Sequence, residues 1–200
     1  MIALAHRSLT LLVLVLVCAL PFGSAQAAKS ENVATAIIEQ DDGRAFDFAW
    51  DIAKQRGGVV DHVNRAHAAA RCSGCEATAI AFQIVLVSGA PSSSAPINEA
   101  LALNLECTQC EVVAEARQFV RVVDARVRIT AAGRRELVDV RQTLRDLEAQ
   151  DPPIDQLHQA VESQEARVRR VLNTELVLRN DPSQDADVID ARLAQDADLG

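Results

Sequence analysis

Between residues 45 and 123 the apolar residues alternate with a period of two, which is typical of β-strands that bury one face. The alternation occurs in three segments: Ala45 to Ala53, Ala77 to Val87 and Val112 to Val123. In the first two segments bulky residues occupy one face and mainly alanines the other. We expect the bulky face to be core, and the alanine face to admit a closely packed second layer. In the third, charged residues interrupt the bulky face, which indicates an edge strand. These are Glu115, Arg117 and Arg121.

Each segment closes one unit of an internal repeat. The pattern Asn-x-Ala-x-Ala begins at Asn32, Asn64 and Asn98, 32 and then 34 residues apart. A turn follows each pattern: Asp42-Gly43, Cys72-Ser-Gly-Cys75, then Cys107-Thr-Gln-Cys110. Positions counted from the end of each turn match across the units. The matches are Ala49, Ala81 and Ala116; Trp50, Phe82 and Arg117; Asp51, Gln83 and Gln118.

The repeat predicts three antiparallel β-hairpins, about six strands in all, with the asparagines making equivalent turn or ladder hydrogen bonds. Helices are the alternative, because alanine favours helix over strand. The short turns, the β-branched run from Ile84 to Val87 and the repeat register favour strands. Ser88 to Pro96, rich in Ser, Ala and Pro, is predicted to be a surface loop between the second and third units.

After Thr130, a possible helix N-cap, the period changes to that of an amphipathic helix. A second helix is expected after Asp151-Pro152-Pro153. The two apolar stripes are Leu137, Val140, Leu144 and Leu147, then Ile154, Leu157, Val161, Val168 and Val171 or Leu172, with Gln164 interrupting the second. The helices should pack antiparallel, on each other or on the alanine face. The predicted fold class is therefore α+β: antiparallel β-hairpin repeats followed by a C-terminal antiparallel helical hairpin.

The N-terminus predicts export. A basic start at His6 and Arg7, an apolar run of about a dozen residues and Ala25-Gln26-Ala27 form the pattern of a cleavable signal peptide. An uncleaved anchor and lipidation at Cys18 are the alternatives. The predicted organisation is a signal peptide (1–27), a β-hairpin repeat domain (28–130), a helical hairpin (131–180) and an acidic disordered tail (181–200). The expected location is secreted or extracytoplasmic, associated with the cell envelope, with no integral membrane segment after cleavage.

The charge balance is acidic. Residues 1–27 contain one arginine and no acid, so their removal changes the formal net charge from −8 to −9. Nucleic acids and anionic membranes need clustered Lys and Arg, so neither is an expected partner.

Cleavage would leave four cysteines: Cys72, Cys75, Cys107 and Cys110. In an exported protein an even number is first interpreted as disulfides, and each pair spans its own turn, which favours Cys72–Cys75 and Cys107–Cys110. Two Cys-x-x-Cys motifs are also typical of a four-thiolate zinc site. His62 and His67 lie nearby in the sequence, at an unusual spacing for ligands. A redox-active dithiol is the third alternative, although no helix is expected to start at either motif.

The chain contains no motif of metalloprotease, serine hydrolase, phosphate-loop or dinucleotide-binding type, so we expect no catalytic residues and no cofactor. The repeats, with Ala79-Ile-Ala-Phe-Gln83 and Thr130-Ala-Ala-Gly-Arg-Arg135, resemble one actinobacterial region. That region is the extracytoplasmic C-terminal repeat domain of large membrane proteins labelled peptide zinc metalloproteases, and the resemblance covers residues 30–150. This chain lacks the protease part, and its first unit has Asp41-Asp42-Gly43 in place of cysteines.

The resemblance implies a free-standing exported relative of an accessory domain, with no catalytic residue to carry over. The function expected from the sequence is a non-enzymatic module of the cell envelope or secreted fraction that binds a protein or peptide partner. A zinc-binding or thiol-redox protein, an accessory to a membrane peptidase and a wall-associated spacer are the alternatives. The sequence leaves the oligomeric state open.

Overall fold

The computed structural model describes residues 30–179. The signal peptide predicted at 1–27 and the tail predicted at 181–200 lie outside the described residues. The strands and helices are β1 (Glu31–Ile38), β2 (Arg44–Val60), β3 (Val63–Ala70), β4 (Glu76–Ser94), β5 (Ile97–Asn104), β6 (Glu111–Val123), β7 (Val127–Ile129), α1 (Ala131–Gln150), α2 (Ile154–Thr174) and β8 (Leu176–Leu178).

The first six strands form two parallel sheets, so the prediction of antiparallel β-hairpins was wrong. One sheet has the order β1-β3-β5 and the other β2-β4-β6, and every pairing in both is parallel. The two strands of each repeat unit therefore lie in different sheets and face each other through side chains. Each unit is one coil of a three-coil solenoid. Only β7 and β8 pair in antiparallel fashion among the described strands.

The repeat register identified in the sequence is the lateral register of the coils. Asn32 lies beside Asn64, and Asn64 beside Asn98. Trp50 lies beside Phe82, and Phe82 beside Arg117. Both strands of a unit carry a face of small residues, and stacking those faces buries both at once. A hairpin would have put them side by side in one sheet, with the small face of each still uncovered.

Alanines form the contact between the two sheets. They come from both sheets and are buried. Those of the first and second coils are Ala34, Ala36, Ala66, Ala68, Ala77, Ala79 and Ala81, and the third coil contributes Ala116. Because these side chains are so small, the sheets approach closely enough for the asparagines to reach across. Asn64 donates to the carbonyl oxygen of Ala81 at 3.1 Å and to Oδ1 of Asn98 at 2.8 Å, and it accepts from Asn32 at 2.7 Å. The amides of Asn32, Asn64 and Asn98 thus form a ladder of side-chain hydrogen bonds from coil to coil, so of the predicted turn or ladder bonds the ladder is the one observed.

The bulky face of the β2-β4-β6 sheet packs against the two helices. Both helices lie where the sequence predicts them, and the Thr130 hydroxyl caps α1 by accepting from the Gly133 N–H at 3.0 Å. The helices cover the bulky face, not the alanine face, because the alanine face is already occupied by the other sheet. The shared core contains Ile80, Phe82, Ile84 and Phe119 from the sheet and the predicted stripes of both helices, except for Ile154, which is exposed.

The charged residues of the third unit have a different role from the one expected. β6 is an edge strand as predicted. Its Glu115 and Arg117, however, face α2, where Glu115 pairs with His158 and Arg117 with Glu165. These contacts attach the helix to the sheet, a role that the sequence did not indicate. The loop predicted from Ser88 to Pro96 is also largely strand, because β4 continues to Ser94.

Replacing Asn64 by alanine should destabilise the solenoid by roughly 2–4 kcal/mol, because it removes three hydrogen bonds and takes a partner from the buried amide of Asn32 and from the buried carbonyl oxygen of Ala81. Asn98→Ala is the matched control: Asn98 is exposed at the end of the ladder, and its loss should cost about 1 kcal/mol or less. Urea unfolding of the two variants measures the difference. Equal losses would contradict the ladder's contribution.

Acid should weaken the attachment of α2. Burial alone would raise the pKa of Glu165, but its hydrogen bonds and proximity to Arg169 and Arg117 outweigh burial and hold the pKa below the usual 4.5. A carboxylate with a depressed folded-state pKa contributes stability above its unfolded pKa, and loses it as the pH falls through the folded pKa. Glu165→Gln should be less stable than the wild type at neutral pH, and this difference should shrink below pH 4.5. Glu162→Gln, exposed on the same helix, is the control for thermal unfolding across this range.

Candidate functional site

All four predicted cysteines lie together at one corner of the solenoid, where the second and third coils turn from one sheet to the other. Disulfides join Cys72 to Cys75 and Cys107 to Cys110, with Cα–Cα distances of 6.1 and 6.0 Å. The two corners stack, since the Gly74 N–H donates to the carbonyl oxygen of Thr108 at 2.9 Å. In the first coil Asp41 and Asp42 occupy the same corner, and Asp41 accepts from the Ser73 N–H at 2.8 Å.

The stacking brings the two pairs into contact. Sγ of Cys75 lies 3.2 Å from Sγ of Cys110 and 3.9 Å from Sγ of Cys107. In the described part of the chain, the group that metal-ligand geometry singles out is Cys72, Cys75 and Cys110. Neither of the two histidines near these cysteines in sequence joins the group. His62 is buried and hydrogen-bonded to Ser30 and Gln55, whereas Nε2 of His67 is buried without a hydrogen-bond partner among the described residues, 3.5 Å from the Glu99 carboxylate.

A second feature, which the sequence analysis missed, is a groove between β2 and the first half of α1. Its volume is about 360 Å³. Among the described residues, four cationic side chains and no acidic one line it, together with an apolar floor. The lining consists of Trp50, Ile52, Lys54, Arg128, Ile129, Arg134, Leu137, Val138 and Arg141. In a protein whose formal net charge is −8, this is a local concentration of positive charge on an apolar surface.

The groove runs beside an open strand edge. β2 is paired on one side only, with β4. The Glu76 N–H bonds to the carbonyl oxygen of Gly43, so the odd-numbered residues of β2 direct their backbone groups to β4. Successive residues of a strand alternate in this direction, so Trp50, Ile52 and Lys54 present their N–H and C=O groups to the open edge. The residues that line the groove therefore also offer backbone hydrogen bonds.

The sequence contained only part of this signal. The period-two alternation from Ala45 to Ala53 puts Trp50 and Ile52 on the bulky face, but Arg134 and Arg141 belong to a helix more than 80 residues away in sequence. Arg134 is held at the rim by donating to the carbonyl oxygen of Ile129 at 2.7 Å. Only the packing of α1 over β2 places these cations beside the tryptophan.

Comparison of the chain with models of known protein families, with curated protein sequences and with solved structures found no match. The resemblance to the repeat domain of actinobacterial peptide zinc metalloproteases therefore stays a prediction. Within residues 30–179 neither helix is long and apolar enough to span a bilayer.

The cysteine geometry predicts a definite mass. A chain lacking residues 1–27 should have an intact mass four hydrogens below that of its reduced form, and alkylating reagents should modify no thiol before reduction. Each disulfide closes a small loop and should stabilise the fold by only about 2 kcal/mol. Reduction should therefore leave circular dichroism typical of strands at room temperature. The reduced protein, with four thiols alkylated, is the control. Four free thiols in the untreated protein would contradict the pairing.

Proposed function

We propose that this protein is an exported, non-enzymatic module of the cell envelope or secreted fraction, and that it binds an acidic, partly apolar peptide segment of a partner protein. The observation that supports this most directly is the basic, apolar groove beside the open edge of β2. The signal-peptide pattern and the paired cysteines support the extracytoplasmic location.

Extended peptides bind open sheet edges through main-chain hydrogen bonds, and side-chain pockets next to the edge provide selectivity. Here a bound strand would lie along β2 and direct alternate side chains toward Trp50 and Leu137. Acidic side chains of the peptide would meet Lys54 and Arg141 at the rim. Such a partner also fits the charge distribution, since four cationic side chains and no acidic one of the described residues line this groove in a protein of net negative charge.

The stacked cysteines support a second candidate function, a zinc site. A tetrahedral zinc with Zn–S bonds of about 2.3 Å places its sulfurs about 3.8 Å apart. The 3.2 and 3.9 Å separations between the two cysteine pairs are close to this value. Reduction would free four thiols, and the sulfurs of three of them, Cys72, Cys75 and Cys110, lie within 4.8 Å of one another. Native mass spectrometry of the protein after reduction and addition of zinc tests this candidate: one bound zinc, lost in Cys75→Ser, would favour it.

Peptide binding can be tested by selecting displayed peptide libraries against the folded protein. We expect enriched sequences to alternate apolar residues with Asp or Glu. The double variant Val138→Asp with Arg141→Glu should bind the selected peptides roughly tenfold or more weakly, and wild-type binding should weaken as salt is added. Val138 is 64% exposed, so the variant should retain its fold.

The matched control is Arg145→Glu, the same charge reversal on an exposed residue of the same helix outside the groove lining. It should bind as the wild type does. If selection enriches no sequence class, or if the double variant and the wild type bind equally well, the groove is not the binding site.

A further inference from the structure

The two ends of the solenoid differ in how their strand edges are protected. At the first coil, the Thr35 N–H points away from β3 and donates to the Asp47 carboxylate at 2.6 Å. The equivalents of Asp47 in the second and third coils are Ala79 and Ala114. A carboxylate at this position is thus specific to the first coil, and it occupies one of the outward N–H groups of the β1 edge. β5, at the other end, has β3 on one side and no strand on the other among the described residues.

The β5 edge is also apolar. All eight residues of β5 are exposed, although the corresponding inner residues of β3 are buried. Four large side chains remain about 40% exposed along this edge: Ile97, Leu101, Leu103 and Leu105. A long, exposed, apolar edge strand readily pairs with another strand. Monomeric proteins normally blunt such an edge with charges, as this one does at β1.

The sequence of this edge is nearly symmetric about Leu101. Reading outward from Leu101, the neighbours are Ala100 and Ala102, then Glu99 and Leu103, then Asn98 and Asn104, then Ile97 and Leu105. A strand with this pattern complements itself when a second copy pairs with it in antiparallel fashion about Leu101. Alanine then faces alanine, asparagine faces asparagine, and Glu99 faces Leu103, so no like charges meet.

The backbone permits the same register. The N–H groups of Ile97 and Leu105 bond to the carbonyl oxygens of His62 and Ala70 in or beside β3. The odd-numbered residues of β5 therefore point toward β3, and the even-numbered residues point to the open edge. Antiparallel pairing about Leu101 joins even residues to even residues, namely Asn98 with Asn104 and Ala100 with Ala102. All the outward backbone groups of β5 find partners at once.

We infer that this protein forms a two-fold symmetric dimer in which the β5 strands of two copies pair in antiparallel fashion, centred on Leu101. The two copies then share one continuous sheet, in the order β1-β3-β5 followed by β5-β3-β1 of the second copy. Head-to-tail stacking of solenoids is disfavoured. In the register of the coils it would place Glu99 beside Val33 of the next copy, and the Thr35 N–H that it needs is already bonded to Asp47. This interface uses a different edge from the peptide groove, and does not depend on the proposed function.

Sedimentation measurements on the full chain lacking residues 1–27, over a wide concentration range, test the dimer. Ala102→Pro removes one outward N–H from β5 and leaves the ladder to β3 intact, so it should weaken dimerisation about a hundredfold. The matched control is Val33→Pro, which removes an outward N–H from the β1 edge in the same way and should remain dimeric. A wild-type protein that is monomeric at all concentrations would overturn the inference.

Cysteine crosslinking tests the register. Leu101 lies opposite itself at a non-hydrogen-bonded position, where the Cα atoms are about 4.5 Å apart, within the range of a disulfide. Leu101→Cys should therefore give a covalent dimer on mild oxidation. Leu103→Cys faces Glu99 of the second copy and should not crosslink alone, whereas the double variant with Glu99→Cys should. A crosslink through Leu103→Cys without one through Leu101→Cys would overturn the proposed pairing.

Discussion

The close alanine contact between the two parallel sheets is the constraint on which the rest of this structure depends. Alanines at most inward positions of the first two coils let the backbones approach closely, so an asparagine on one sheet reaches carbonyl oxygens on the other. A larger side chain at Ala66 or Ala79, both fully buried, would separate the sheets and break those hydrogen bonds. The asparagine ladder then fixes the register, because each rung must meet the amide of the next coil.

In-register stacking has a consequence at the ends of the solenoid. Residues at equivalent inward positions stack from coil to coil, and their polar groups find hydrogen-bond partners only where another coil lies next to them. The first coil departs from the repeat at Asp47 and Asp51. Asp47 accepts a hydrogen bond from a backbone N–H of β1 that would otherwise be unpaired, and Asp51 accepts from Gln83 at 3.2 Å. The third coil has Ala114 and Gln118 at these positions, as the second coil has Ala79 and Gln83, and it has apolar residues on β5, so it retains the surface of an internal coil. This asymmetry is the physical basis for pairing with a second copy at one end only.

The bulky face of the second sheet and the helices explain why the molecule carries a basic groove. Aromatic side chains follow one another across the coils, with Trp50 stacked on Phe82 at 6.0 Å. α2 is fixed over β6 by the contact of Glu115 with His158 and by the ion pair of Arg117 with Glu165, and α1 then lies along β2. The helix pair leaves the outer part of Trp50 and Ile52 uncovered, and arginines of α1 line the gap. The peptide site proposed there follows from the helix packing and does not depend on the cysteine corner.

The sequence by itself determined the repeat, its register, the two faces of each strand and both helices with most of their buried stripes, and it favoured the pairing of the cysteines at the turns over a shared zinc site. It could not decide whether the two strands of a unit pair with each other or with their equivalents in the next unit. Period-two alternation describes the faces of a strand, and is the same in a hairpin and in a solenoid coil. Tertiary structure decided this point, because only stacked coils bury the alanine face of Ala66 and align Asn32, Asn64 and Asn98. It alone also placed Arg141 beside Trp50, since that proximity arises from the packing of a helix on a distant strand.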